Sequence, residues 1–250
     1  MALFTRKTAV VAATSIVAMA IPVLCRRRHA LSPLLLATRF SLAASASGGR
    51  RLPPMKPPDL DAEQQVLYDE IANTRIKILS KNALFDADGG LRGPWNAEVL
   101  SPRLGKHLEQ LASAVRHENS LEPRLYEISI LVVGVFWQAQ FEWYAHEKLA
   151  RKAGIAEAAL PMIKRGCEPE ELIGVLQPDE VAVYKLSLEM VRTRRVSSET
   201  YAETAAALGG DDRKMADLCM SMGCYHAVSN VLNMFAVELP EGEALPFAEE

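Results

Sequence analysis

Residues 123–154 read PRLYEISILVVGVFWQAQFEWYAHEKLARKAG, and they carry the clearest structural pattern in the chain. Residues 125–137 are almost continuously apolar, and the residues that follow mix aromatic and charged side chains at helical spacing. A proline stands in the first turn and a glycine at the end, which are the positions where helices accept these residues. We predict a buried helix over 125–137 that continues helically to residue 153 and stops at Gly154.

The remainder of the chain after residue 60 also has helix signals, and no span shows the sustained alternation of a β-strand. Candidate N-cap residues precede its helical spans, at Asp61, Ser101, Ser197 or Ser198, and Asp211 or Asp212. Residues 81–95 hold two Asp, three Gly and a Pro, so we predict a loop there. The helix after Ser101 carries Leu104, Leu108 and Leu111. We therefore predict one all-α domain of six to eight helices over residues 60–247.

The N-terminal segment differs in composition from the rest of the chain. Its first 51 residues contain eight basic residues and no acidic one, and residues 8–24 form an uncharged, mostly apolar run of 17 residues. Acid-free leaders rich in Arg and Ser are typical of transit peptides, whereas 17 apolar residues barely suffice to span a bilayer. We predict a cleavable or disordered targeting leader over residues 1–52 and a mitochondrial protein. The alternatives are a plastid transit peptide, or a secretory or membrane-anchoring segment over residues 8–24.

The charge balance and the cysteines exclude several classes of protein. Residues 53–59 form a proline-rich linker, and without the first 51 residues 20 basic residues stand against 31 acidic ones, a formal net charge of −11. The acidic charge of the chain after residue 51 argues against nucleic-acid binding, which needs a basic surface. Four scattered cysteines are too few for a disulfide framework or a zinc site. Membrane contact is expected only if the apolar run at residues 8–24 is retained.

Few polar residues interrupt the apolar spans, and three of them are candidates for chemistry. Glu142 and His146 are four residues apart, so they share one helix face, and aromatic residues surround them. A carboxylate beside an imidazole can transfer protons, although such a pair is also common on helix surfaces. Glu127 is either a further carboxylate of this group or a residue favoured by the positive end of a helix dipole. With one His and no metal-binding motif, we predict no metal site.

Four segments together resemble the carboxymuconolactone decarboxylase family, which is related to the AhpD-type alkylhydroperoxidases. They are PRLYEISILVV (123–133), QFEWYAHEKLARKAG (140–154), DEVAVYKL (179–186) and GCYHAVSNVLNMFAVELP (223–240). The pattern is a Glu, then a gap, then His-x-x-x-Ala-x-x-x-Gly, and it is followed by a closing helix that ends in Leu-Pro. The resemblance covers about residues 60–247. It implies an AhpD-like helical bundle that assembles into a homotrimer or homohexamer.

The peroxidase branch of this superfamily carries a Cys-x-x-Cys ahead of the His, and this chain does not. When Glu127 and His146 are aligned with that branch, Ala139 and Glu142 occupy the two cysteine positions. Thiol-based peroxide reduction needs a thiolate of low pKa and a resolving partner. The resemblance therefore favours the decarboxylase-like branch. A peroxidase remains a less favoured alternative, because it would require Cys219 or Cys224 to lie beside His146.

The decarboxylase-like resemblance implies a cofactor-free lyase that acts by proton transfer on a carboxylated lactone or a similar small carboxylic acid. His146 is then the general acid/base, Glu142 orients it or shuttles the proton, and Glu127 is the second carboxylate of the relay. The candidate substrate-binding residues are Arg124, Tyr225 and His226. The alternative from a different class is a non-catalytic helical subunit or binding module of an organellar complex.

Overall fold

The computed structural model describes residues 51–248, so the predicted leader lies outside the described residues except for its last two positions. All regular structure in residues 51–248 is helical, which confirms the all-α prediction. The ten α-helices are α1 (Ala62–Arg75), α2 (Lys81–Leu84), α3 (Trp95–Leu100), α4 (Pro102–His117), α5 (Pro123–Trp137), α6 (Gln140–Lys152), α7 (Ala159–Lys164), α8 (Pro178–Thr193), α9 (Ser198–Ala207) and α10 (Asp212–Met234). Three of these helices, α2, α3 and α7, are a single turn or little more. None of the described helices is long and apolar enough to cross a membrane.

Most long helices begin where the capping signals placed them. Asp61 accepts a hydrogen bond from the Gln64 backbone, and the Gln64 side chain accepts one from the Asp61 backbone, which completes a capping box at α1. Ser197 and Asp211 cap α9 and α10 through their side chains. Ser101 makes no such bond, and α4 begins at a proline whose φ is already helical. Local side-chain chemistry thus fixes most of the boundaries.

Two spans differ from the prediction. The helix over residues 125–137 does not continue, because Gln138 adopts a left-handed conformation with φ 48° and ends α5. This break lets α6 turn back and pack along α5. Residues 81–95 are not wholly a loop: the Ser80 side chain accepts a hydrogen bond from the Ala83 backbone and caps the short α2.

Helix α5 lies at the centre of the main core. Every residue from Leu125 to Gly134 is buried, and α6, α8 and α10 pack against this helix. A helix that is apolar on all sides must be covered on all sides, which explains its central position. A charged side chain on α5, such as Glu127, is consequently held inside the protein.

A second, smaller core forms beside the first, between α1, α3 and the loop that joins them. Its buried members include Leu67, Ile71, Leu91 and Val99. Residues of the predicted linker lie against it: the Met55 backbone donates to Asn96 Oδ1 at 2.8 Å, and Met55 packs on the cluster. The site described below is lined by residues of both cores.

The orientation of α4 could not be inferred from its leucines. Leu104 is 75% exposed and Leu111 is 40% exposed, whereas Gly105 and Glu109 are buried. A methyl group at Gly105 would collide with the carbonyl of Glu98, so glycine is what allows α3 and α4 to approach this closely. The inward face of α4 is therefore partly polar.

Candidate active site

A cavity of about 560 Å³ lies between helices α1, α3, α4, α5, α6 and α10. Its volume suits a small organic molecule. Apolar walls from Leu79, Ala112, Phe141 and Val228 surround an unusual number of ionisable groups. The ionisable lining residues are Arg75, Glu98, Glu109, Arg116, Tyr126, Glu127, Glu142, Tyr144, His146 and Tyr225, with His117, Lys148 and Lys152 as further basic residues. This combination of dry walls and convergent polar groups makes the cavity the candidate active site.

His146 on α6 is held by Glu127 on α5. Its Nδ1 lies 2.7 Å from Glu127 Oε2, and both side chains are buried. A carboxylate only accepts hydrogen bonds, so Nδ1 carries the hydrogen and Nε2 keeps its lone pair. The Tyr225 ring stands edge-on to the imidazole, with 4.7 Å between ring centres. The imidazole is thus fixed in one tautomer and one orientation.

Burial lowers the pKa of the His146 imidazole below its usual range, and the attraction of Glu127 offsets only part of that effect. The imidazole is accordingly neutral at pH 7 and available as a base. Glu127 performs the orienting role that the sequence assigned to Glu142.

Glu142 is the second proton-bearing group of the site. Its side chain is buried, and Oε1 has no hydrogen-bond partner among the described residues. Burial raises the pKa of the Glu142 carboxyl well above its usual range; Arg116 opposes this shift and Glu127 adds to it. The raised pKa favours the protonated form of Glu142, which lies one helical turn from His146.

Arg116 supplies the positive charge of the site, and sequence reasoning did not select it. Its Nη2 donates to Tyr225 Oη at 3.4 Å, while its Nε is buried with no partner among the described residues. A guanidinium with a free N–H in a dry cavity is suited to bind a carboxylate. Exposed Lys148 and Lys152 also line the cavity and add two basic groups to its lining.

The structure brings together four of the six residues selected from the sequence: Glu127, Glu142, His146 and Tyr225 all line the cavity. The other two are not among the lining residues. Arg124 is engaged with Asp179 through bonds of 2.8 and 2.6 Å. His226 accepts a hydrogen bond from Trp137 Nε1 at 2.8 Å.

The peroxidase alternative depends on the thiols of Cys219 and Cys224. Cys219 is exposed and Cys224 is buried, and neither lines the cavity. Burial raises the pKa of the Cys224 thiol to about 12, the opposite of what an attacking thiolate requires. Within residues 51–248, no group of three or more His, Cys, Asp or Glu residues is placed to hold a metal ion.

Comparison with known proteins establishes the fold. No family model and no curated protein matches this sequence. A crystal structure of an alkylhydroperoxidase AhpD core, an uncharacterized peroxidase-related protein from Ralstonia eutropha JMP134, matches with a TM-score of 0.60 and 12% identity over 77% of this chain and 93% of that chain. An uncharacterized peroxidase-related protein from Silicibacter sp. TM1040 matches with a TM-score of 0.59 and 14% identity over 77% and 92%. The predicted AhpD-like helical bundle is confirmed, and at these identities the likeness extends to the fold alone.

The protonation state of Glu142 leads to a prediction about stability and pH. Its pKa is raised in the folded state, so above about pH 4.5 the unfolded chain ionises this group while the folded protein retains the proton. The folded state therefore loses stability as pH rises, by up to about 1.4 kcal/mol per pH unit until the folded pKa is reached. A Glu142→Gln variant lacks this penalty, so its stability relative to the unmodified protein should increase between pH 5 and pH 8.

Denaturant unfolding at several pH values measures this difference. The exposed Glu118→Gln serves as the matched control, and we expect its stability curve to run parallel to that of the unmodified protein. Parallel curves for Glu142→Gln as well would show that Glu142 is ionised in the folded state.

Proposed function

We propose that the protein is a decarboxylase-like enzyme of the carboxymuconolactone decarboxylase type, a cofactor-free lyase that acts on a carboxylated lactone or a similar small acid. The observation that carries this proposal is the buried Glu127–His146 pair, which shares one cavity with Glu142 and Arg116. These residues supply a base, an acid and a cation in a space with apolar walls. Proton transfer to carbon next to an anionic group needs these components.

Decarboxylation breaks the bond between a ring carbon and the carboxylate carbon. Carbon dioxide leaves, the electron pair passes into a conjugated carbonyl to form an enolate, and a proton is then added to carbon. Arg116 provides fixed positive charge for the negative charge that moves from the carboxylate to the enolate oxygen. The apolar walls exclude water, which would otherwise stabilise the carboxylate before it reacts.

The proton route follows from the geometry at His146. In the proposal His146 is the general acid/base, and Glu127 fixes its tautomer through the 2.7 Å bond to Nδ1. Glu142 is the proton reservoir, because burial raises the pKa of its carboxyl and so favours the protonated form. The proton that reaches the product carbon comes from Glu142 or from His146 after His146 has been charged by Glu142.

The assembly belongs to the same proposal. We expect the homotrimer or homohexamer implied by the family resemblance. Large apolar side chains on the described surface, Leu104, Phe136, Met220 and Met234, would support it by packing between copies.

A ligand thermal-shift screen tests the proposal, with carboxylated lactones and small dicarboxylic acids as ligands. A ligand present at 100 times its Kd adds about 2.7 kcal/mol to the free energy of unfolding, which raises the Tm of a protein of this size by about 5–10 °C. We expect such a rise for at least one acid, and no rise for its methyl ester, which lacks the charge that Arg116 binds. If no acid raises the Tm, the proposed substrate class is wrong and the non-catalytic subunit becomes the better account.

A further inference from the structure

A second group of polar side chains lines the same cavity from α1, α3 and α4. Glu109 is fully engaged there: Arg75 donates to its Oε1 from Nε and Nη2 at 2.9 and 2.6 Å, and Trp95 Nε1 donates to its Oε2 at 3.2 Å. Arg75 is 3% exposed and Glu109 is 4% exposed. The hydrogen bonds of Arg75 and Glu109 hold the two side chains in place, so neither residue needs a ligand as its partner.

Glu98 on α3 differs from that pair. It is 4% exposed and lines the cavity, and its Oε2 has no hydrogen-bond partner among the described residues. Buried polar atoms in folded proteins nearly always have a partner, because an unsatisfied one costs about 1–3 kcal/mol. The close approach of Gly105 to the Glu98 backbone packs this part of α3 tightly against α4.

The protonation state of Glu98 defines what it can bind. Burial and the negative charge of Glu109 raise its pKa well above the usual range, and Arg75 offsets only part of the shift. A protonated carboxyl has one O–H to donate. A second carboxylate in the ligand would be repelled by Glu109 at this point, whereas an uncharged carbonyl oxygen would be accepted.

We propose that Glu98 is a specificity-determining subsite that donates a hydrogen bond to the lactone or keto carbonyl oxygen of the ligand. The binding of the ligand carboxylate by Arg116 rests on the proposed function. The binding of its carbonyl oxygen rests on the position of Glu98. The cavity then selects a monocarboxylate that also carries an uncharged carbonyl, in preference to a dicarboxylate or a purely aliphatic acid.

Three small molecules test carboxylate binding and carbonyl binding separately, in binding measurements on the full chain. γ-Butyrolactone-γ-carboxylate has both groups, cyclopentanecarboxylate has only the charge, and γ-butyrolactone has only the carbonyl. We expect Glu98→Leu to raise the Kd of the two lactones about tenfold, which corresponds to one hydrogen bond, and to leave the Kd of cyclopentanecarboxylate unchanged. Glu98→Gln, which keeps an N–H donor, should bind both lactones within about threefold of the unmodified protein. Arg116→Gln should raise the Kd of the two acids and leave the Kd of γ-butyrolactone unchanged.

Each outcome decides a separate question. If Glu98→Leu affects lactones and cyclopentanecarboxylate equally, or affects none of them, the subsite is overturned while the proposed function stands. If the two acids fail to bind but γ-butyrolactone still distinguishes Glu98→Leu from Glu98→Gln, the proposed function fails and the subsite stands. If no probe binds, both are overturned.

An infrared measurement covers the case in which Glu98→Leu does not fold. The carbonyl stretch of a protonated carboxyl is separate from the carboxylate bands, and Glu98→Gln identifies the Glu98 contribution by removing it. We expect γ-butyrolactone-γ-carboxylate to shift this band to lower frequency and cyclopentanecarboxylate to leave it in place. A band that neither ligand moves, or that both move equally, overturns the subsite.

Discussion

A His146→Ala variant is expected to decarboxylate a carboxylated lactone about 10²–10⁴ times more slowly than the unmodified protein, the usual contribution of a general acid/base. The reason is that His146 is neutral, oriented by Glu127 and buried in the cavity, so water cannot readily replace it. The rate is followed as release of carbon dioxide. We expect the KM to change by no more than about threefold, because the carboxylate is bound by Arg116.

Two further variants show whether the effect is specific. His226→Ala is the matched control, since His226 pairs with Trp137 and does not line the cavity, and its rate should equal that of the unmodified protein. The rate of Glu127→Gln should lie between those of His146→Ala and the unmodified protein. This variant leaves the imidazole in place and removes the charged partner that fixes its tautomer. Equal rates for His146→Ala and the unmodified protein would remove His146 from the mechanism.

The second large effect is expected on ligand affinity when Arg116 is replaced. An Arg116→Gln variant loses the guanidinium, whose Nε lies buried in the cavity with no partner among the described residues. Charge-assisted hydrogen bonds contribute about 1.5–3 kcal/mol, so the Kd for a carboxylated lactone should rise about 10- to 100-fold. Arg116→Lys should recover part of this loss, because it keeps the charge without the planar donor geometry.

Arg124 provides the comparison, because it is one of the three substrate-binding candidates selected from the sequence. Its guanidinium is committed to Asp179 outside the cavity, so Arg124→Gln should lower the Tm and leave the Kd unchanged. Isothermal titration calorimetry on both variants measures the difference. A Kd that rises for Arg124→Gln and not for Arg116→Gln would reverse the two assignments.

The parts of the fold that were predictable depend on local signals. The apolar run over residues 125–137 and the caps at Asp61, Ser197 and Asp211 act within one or two helical turns, so a single sequence shows them. The end of α5 was missed because a left-handed Gln138 has no distinct signal, whereas a glycine there would have given one.

The candidate site was only partly predictable for a different reason. Glu127 and His146 stand out as polar residues at motif positions, but their direct bond joins two helices and is visible only in the structure. Glu98, Glu109 and Arg116 look like surface residues in the sequence. The place of Glu109 and Arg116 in the cavity depends on which face of α4 turns inward, and the exposed Leu104 and Leu111 lie on the other face. Glu98 enters the cavity from α3, which packs against α4.

The fold does not decide the chemistry, because one helical bundle can carry a thiol site or a proton-transfer site. The side chains at the decisive positions distinguish the two. In the alignment proposed from the sequence, Ala139 and Glu142 take the places of the peroxidase cysteines, and burial raises the pKa of the Cys224 thiol. The Glu127–His146 pair therefore carries the functional proposal.

The central claim is that His146 moves protons to and from a ligand bound in this cavity. The most direct test is deuterium exchange at the carbon beside the carbonyl of γ-butyrolactone-γ-carboxylate, followed by proton NMR in heavy water. The account predicts that the unmodified protein accelerates this exchange over buffer and that His146→Ala does not. Binding of the ligand with no accelerated exchange would contradict it and would identify the protein as a binding module.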